Sequence, residues 1–225
     1  MLDMLAISPH PDDVELCCGG LIAKMAGKGY HVGIIDLTRG ELGTEGTGDI
    51  RMQEATKAAD LLGVQIRENM DLGDCEVASG FDEARKLADL IRQYKPSLIV
   101  APYGDDHHPD HAASRKLVDK AVFLSTLSKV QTDHEVHQFE MVAYYMLHKT
   151  FDPLFIVDVT QNYEKKLKAI KAYKSQMKLM LETEGLLTSI ELRDQIYGSR
   201  AGVKYGEPFF CRAPLMIDDP VGFLK

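Results

Sequence analysis

At 225 residues, with 45% hydrophobic and 27% charged side chains, the chain has material for a sizeable core and the composition of an ordinary globular domain. A net charge of -8 argues against a nucleic-acid partner, and no run of about 18 apolar residues offers a membrane span. The start Met1-Leu2-Asp3 lacks a basic secretory n-region, and Cys17, Cys18, Cys75 and Cys211 form neither a disulfide framework nor a C-x-x-C pair, so free thiols in the cytoplasm are expected.

Met4–Ile7 reads as a first strand, followed by a helix from Val14 to Gly29 with Leu16, Leu21, Ile22 and Met25 inward. Val32–Leu37 is nearly continuous in apolar residues, as in a strand covered on both faces. A glycine-rich loop, Arg39 to Asp49, leads into a helix over Ile50–Leu62. A strand over Val64–Leu72, a helix over Phe81–Tyr94 and a strand over Ser97–Ala101 come next. His111–Leu127 is helical, Phe139–Leu147 and Phe155–Val159 are strands, and Asn162–Leu181 and Ser189–Ser199 are the last helices. The lysines at 165, 166, 168, 171, 174 and 178 fall at helical spacing and predict a solvated helix face. From about Gly185 the periodicity weakens, and this part is expected to wrap the core, with residues 1–225 forming one domain. Strand-helix alternation implies right-handed crossovers and an α/β, Rossmann-like, doubly wound, mostly parallel sheet with helices on both faces. Ligands of such sheets sit beyond the carboxyl ends of the strands, which selects the loops Ser8–Glu15, Thr38–Asp49 and Pro102–His111.

Those loops hold the chemistry. S-P-H-P-D-D-V-E (Ser8–Glu15) places His10 and Asp13 three apart at a helix start, and H-P-D-H places His108 and His111 likewise. An Asp-Asp pair before a helix also serves as an N-cap, and a lone His-x-x-His decorates many surfaces. Together at the strand ends of one sheet, imidazoles and a carboxylate point to a divalent cation with a position left for water. Imidazole and carboxylate accept iron, cobalt and manganese as well as zinc. His31, His134, His137 and His148 lack such company and are expected to be ordinary surface or core residues. The glycine loop fits neither nucleotide fingerprint and reads as a mobile lid over the site, with Glu41, Thr44 and Thr47 as hydroxyl-binding groups, a flexible connection being the alternative.

S-P-H-P-D-D-V-E paired with H-P-D-H resembles the PIG-L/LmbE-like zinc-dependent N-deacetylases, as do the D-L-T-R-G-E-L-G-T-E-G-T segment with Arg51 and the A-Y-K-S-Q stretch at Ala172–Gln176. The D-L-T-x-x-E-L segment and the length most resemble the bacillithiol-pathway branch, which deacetylates N-acetyl-α-D-glucosaminyl L-malate. The resemblance implies one Zn2+ on His10, Asp13 and His111, with Asp12 as general base. It makes His108 the group facing the developing oxyanion and Asp110 the residue that orients His108 and keeps it protonated. Arg51 would hold the sugar, and Tyr205 would be a mobile active-site tyrosine. It also implies a small-molecule N-acetylglucosaminide as partner and a homo-oligomer such as a hexamer. Cys17 stands where relatives commonly carry glycine, four residues past Asp13; packing beneath the site is its expected role, zinc ligation the alternative. Two other readings are another N-acetyl sugar (diacetylchitobiose-like) or a thiol conjugate as substrate, and a non-catalytic Rossmann-type metal- or nucleotide-binding domain. Against the last, His10-Pro11-Asp12 occupies the place of a glycine fingerprint.

Overall fold

The computed structural model describes residues 1–104, 106–177 and 185–223. Five strands run parallel: β1 (Met4–Ser8), β2 (Val32–Asp36), β3 (Ile66–Asn69), β4 (Leu98–Pro102) and β5 (Met141–Tyr145). Two more, β6 (Phe155–Asp158) and β7 (Gly206–Phe210), complete a sheet of order β3-β2-β1-β4-β5-β7-β6, with β7 antiparallel to both neighbours. The helices of eight residues or more among the described residues are α1 (Asp13–Gly27), α2 (Gly48–Leu62), α3 (Phe81–Tyr94), α4 (Pro109–Ser125), α5 (Tyr163–Ile170) and α6 (Leu186–Arg200). None among the described residues is long and apolar enough to cross a membrane.

Strand alternation sorts the core into two layers. Met4 and Ala6 of β1, Val32 and Ile34 of β2 and Val100 of β4 pack under Val14, Leu21 and Ile22 of α1 and Ala55, Ala58 and Leu62 of α2. Leu5, Ile7, Ile35, Ile99 and Ala101 point the other way, onto Leu87 and Ile91 of α3 and Leu117, Val118 and Ala121 of α4. β1 lies between β2 and β4, so the loops leaving β1 and β4 diverge around the point where the strand order reverses. That crevice brings residues 10–13 to residues 108–111.

The first four helices and six strands fall where the sequence puts them, although β3 is shorter, Ile66–Asn69 against Val64–Leu72. β7 is not expected from the sequence, because Pro208 lacks the N–H of a central strand and reads as a breaker. The segment expected to wrap the core therefore also completes the sheet. The helix expected over Asn162–Leu181 stops at Ile170, residues 174–177 are helical again, and residues 178–181 lie outside the described ones.

The lysine face is corrected at one position. Lys166 is fully buried, its Nζ 2.6 Å from Asp194 Oδ2 and 2.7 Å from Glu207 Oε1. Glu207 also accepts the backbone N–H groups of Gly20 (2.9 Å) and Leu21 (2.7 Å), just after α1 kinks at Cys18. The kink exposes helix donors in mid-helix, a buried carboxylate takes them, and Lys166 neutralises that carboxylate. Gly20 is required there, since a Cβ would lie 2.7 Å from Val159 Cβ.

Candidate metal centre and active site

His10 Nδ1, Asp13 Oδ2 and His111 Nε2 form a small triangle: 3.1 Å from His10 to Asp13, 3.3 Å from His111 to Asp13 and 3.3 Å between the two imidazole nitrogens. All three side chains are buried. Donors 2.0–2.2 Å from one tetrahedral ion lie about 3.3–3.6 Å apart, so the triangle fits a cation of zinc's size after a small expansion. The chemistry of the set agrees. Burial by itself would lower the His10 imidazole, yet bonds to Asp110, Asp13 and Asp74 overcome it and push it up to about 12. Burial works against ionising Asp13, but His111 and His10 hold it well below the usual carboxylate range. Such a pocket favours positive charge, which a metal ion held by the three residues would supply in place of protons.

Around the triangle, Asp110 Oδ2 lies 3.0 Å from His10 Nε2 and Asp74 Oδ1 3.3 Å from the same nitrogen. Carboxylates on the far ring nitrogen fix tautomer and orientation in metal-ligating histidines. The two oxygens of Asp110 also accept the Cys75 and Val77 N–H groups, at 2.8 and 3.2 Å. The expectation that Asp110 orients His108 through its carboxylate is thus corrected: that carboxylate serves His10. His108 receives only the Asp110 backbone N–H, on Nδ1 at 3.2 Å. Nδ1 therefore carries no proton, and the neutral ring bears its hydrogen on Nε2. Burial, with His10 and His111 nearby, lowers the His108 pKa, which works against the expected imidazolium.

Asp12 stands at the N-cap of α1 with φ 115° and makes no capping bond through its side chain. An aspartate in that conformation is strained, and its carboxylate is left for other use. Burial raises it to about 7, against the lowering charge of Arg51. The guanidinium of Arg51 lies 3.1 Å from Asp12 Oδ1, donates to Pro11 O at 2.5 Å and to Gly40 O at 3.2 Å, and is almost wholly enclosed. Gly40 has φ 64°, and a Cβ there would lie 2.0 Å from Arg51 Nη1. A cleft of about 170 Å³ opens over this group, lined by His10, Asp12, Arg51, Asp74, Cys75 and His108, with Leu42 and Gly43 of the glycine loop.

The remaining expected residues are placed elsewhere. Glu41 does not line the cleft; its carboxylate accepts Arg39 N (3.2 Å) and Asp74 N (2.9 Å), tying the glycine loop to the loop after β3. Thr47 caps α2, accepting Ile50 N. Further bonds, Leu42 N to Asp74 (2.9 Å) and Gln176 Nε2 to Glu45 O (2.8 Å), hold the loop expected to act as a lid. Tyr205 is buried, stacks on Tyr163 at 3.7 Å and donates to Glu191 at 2.8 Å, so it packs between β7 and α5 and does not line the cleft. Cys17 joins the apolar core and burial pushes its thiol up to about 12; it belongs to none of the potential metal-holding groups among the described residues. Sequence reasoning missed Asp74 and Cys75, although the strand-end rule that selects three loops applies equally to the loop after β3. It also missed His148, which contacts Asp106 and stacks on His111.

Residues 5–122 match the family model described as "PIG-L: GlcNAc-PI de-N-acetylase". The fold superposes on the conserved protein TT1542 from Thermus thermophilus with a TM-score of 0.92, at 35% identity and 98% coverage of both chains. A diacetylchitobiose deacetylase of Thermococcus kodakarensis is 29% identical over 91% of this chain and 80% of its own. A probable N-acetyl-alpha-D-glucosaminyl L-malate deacetylase 2 of Bacillus anthracis is 28% identical, over 77% of this chain and 80% of its own. With its motif-bearing half matched and its whole fold shared, the chain belongs to the PIG-L family of GlcNAc-PI de-N-acetylases.

Proposed function

We propose that the chain is a zinc-dependent hydrolase that removes the N-acetyl group of an N-acetylglucosaminide, with N-acetyl-α-D-glucosaminyl L-malate as substrate. The observation that carries this is the triangle of His10, Asp13 and His111 beside Asp12, a buried carboxylate that caps nothing. Zinc held by those three residues would lower the pKa of water to about 7 and polarise the acetyl carbonyl. Asp12 takes the proton of the attacking water, its basicity set by burial against Arg51, and the proton passes to the amine nitrogen as the C–N bond breaks and acetate leaves. His108 donates its Nε2–H to the oxygen that gains charge, a role that a neutral imidazole with Nδ1 already bonded fills without a protonation step. Asp110 and Asp74 hold the His10 ring, and Arg51 closes the cleft wall where the sugar enters.

The malate glycoside is supported by the D-L-T-R-G-E-L segment and by the Bacillus relative. Diacetylchitobiose is the second reading, favoured by the Thermococcus relative. Acetate released from each substrate, and from free N-acetylglucosamine, separates them: a kcat/KM at least tenfold higher for the malate glycoside is expected, and equal values refute the aglycone assignment. The proposal takes residues 1–225 as one catalytic domain in the cytoplasm, a setting supported by four free cysteines. It includes self-association, which light scattering reads directly.

A further inference from the structure

Behind the His111 ring lies a second group of donors. Asp106 Oδ2 is 3.3 Å from His111 Nδ1 and 2.9 Å from His148 Nδ1, and Asp106 Oδ1 is 3.0 Å from the same His148 nitrogen. The rings of His111 and His148 stack at 5.2 Å with 17° between their planes. A carboxylate that merely oriented His111 would take its Nδ1–H. Asp106 instead takes His148, and His111 Nδ1 is left buried without a hydrogen bond. A buried imidazole nitrogen that makes no hydrogen bond to the enclosed carboxylate 3.3 Å away is a costly arrangement that a ligand would relieve.

We propose that Asp106, His148 and Nδ1 of His111 form an outer transition-metal site, distinct from the triangle on the other side of the same ring, and that filling it inhibits the enzyme. The donor set is two imidazole nitrogens and one carboxylate oxygen, all within 4.8 Å of one another, which suits zinc, cobalt or copper. Access is from solvent: the Asp106 side chain is 1% exposed, whereas that of His148 is 47% exposed. Binding releases to solvent the proton that a neutral His111 carries on Nδ1 while Nε2 faces the inner triangle. The inhibition follows from Asp106. Its Oδ1 accepts the His108 backbone N–H at 2.9 Å, so a cation pulling on the carboxylate moves the His108 ring that lines the cleft, and places a positive charge next to an inner ligand.

The test uses protein carrying one equivalent of zinc, titrated with further Zn2+ against a chelator of known affinity, with His148→Ala alongside. His148 is half-exposed and packs no core, so the variant folds as the parent does. The parent takes up a second equivalent and loses acetate release as it does so. The variant holds the first equivalent unchanged, binds the second at least about tenfold more weakly, and resists excess zinc. Titration with Co2+ adds a spectroscopic reading: the absorption of the first equivalent is the same in both proteins, and that of the second is lost in the variant. Uptake of a second equivalent equally tightly by both, or of none by the parent, overturns the proposal.

Discussion

Gly40→Ala tests the link between the glycine loop and the proposed base. The added Cβ would sit 2.0 Å from Arg51 Nη1 and 2.5 Å from its Cζ, so the guanidinium must retreat by more than about 1 Å for contact to become tolerable. That movement breaks the 3.1 Å approach to Asp12 and the bond to Gly40 O. Alanine at φ 64° costs about 1–2 kcal/mol of stability from its backbone conformation. The effect on Asp12 has a definite sign. Burial raises its carboxyl and Arg51 lowers it, so removing the guanidinium lets the pKa climb; an aspartate beside an arginine is lowered by about 1–3 units, and losing most of that moves it up by about one unit. A base works only when deprotonated, so activity falls as pH drops through this pKa, and the acid limb of kcat/KM shifts to higher pH in the variant. The assay is acetate release between pH 5 and 9, with urea unfolding to register the stability loss separately. An acid limb that superposes on that of the parent, in a protein measurably destabilised, would refute the claim that Arg51 tunes Asp12.

Asp12→Ala should retain one zinc per chain by elemental analysis while acetate release falls by about 10²–10⁴, whereas His111→Ala should lose the metal; full activity in the first variant, or zinc retained in the second, contradicts the assignments. Lys166→Met strands Asp194 and Glu207 in the interior, and urea denaturation should show a loss of about 3–5 kcal/mol. Tyr205→Phe removes one hydrogen bond to Glu191 outside the cleft, so it should cost about 1 kcal/mol in stability and leave kcat/KM within about twofold of the parent.

Most of this site could be read from the letters because it obeys local rules. His10 and Asp13 lie three residues apart where α1 begins, as do His108 and His111 where α4 begins, and the strand-end rule brings the two pairs to one crevice. What escaped depends on contacts between distant segments. That Asp110 serves His10 and not its neighbour His108 is decided by how α4 meets the loop after β1, a relation between residues 100 positions apart. The Lys166 cluster escaped for the same reason: its partners are 28 and 41 residues downstream, and helical spacing alone says solvent. Tyr205 rests on the similarity of a short stretch, and its ring is claimed by Tyr163. The Pro208 strand shows a rule overridden by register, since β7 is accepted in the sheet although one of its residues cannot donate.

Because the last strand of the chain occupies an interior slot, synthesis on the ribosome meets a definite obstacle. Segment 155–158 emerges well before residues 206–210, the strand it pairs with, and the ammonium at position 166 gains Asp194 and then Glu207 only as those residues follow. Until then the 155–158 strand lacks the partner it has in the finished sheet, and Lys166 lacks one of its two counter-charges. The bend in the helix bearing Asp13 is thus completed by a residue almost two hundred positions further along the chain, since Glu207 takes the donors that the kink frees.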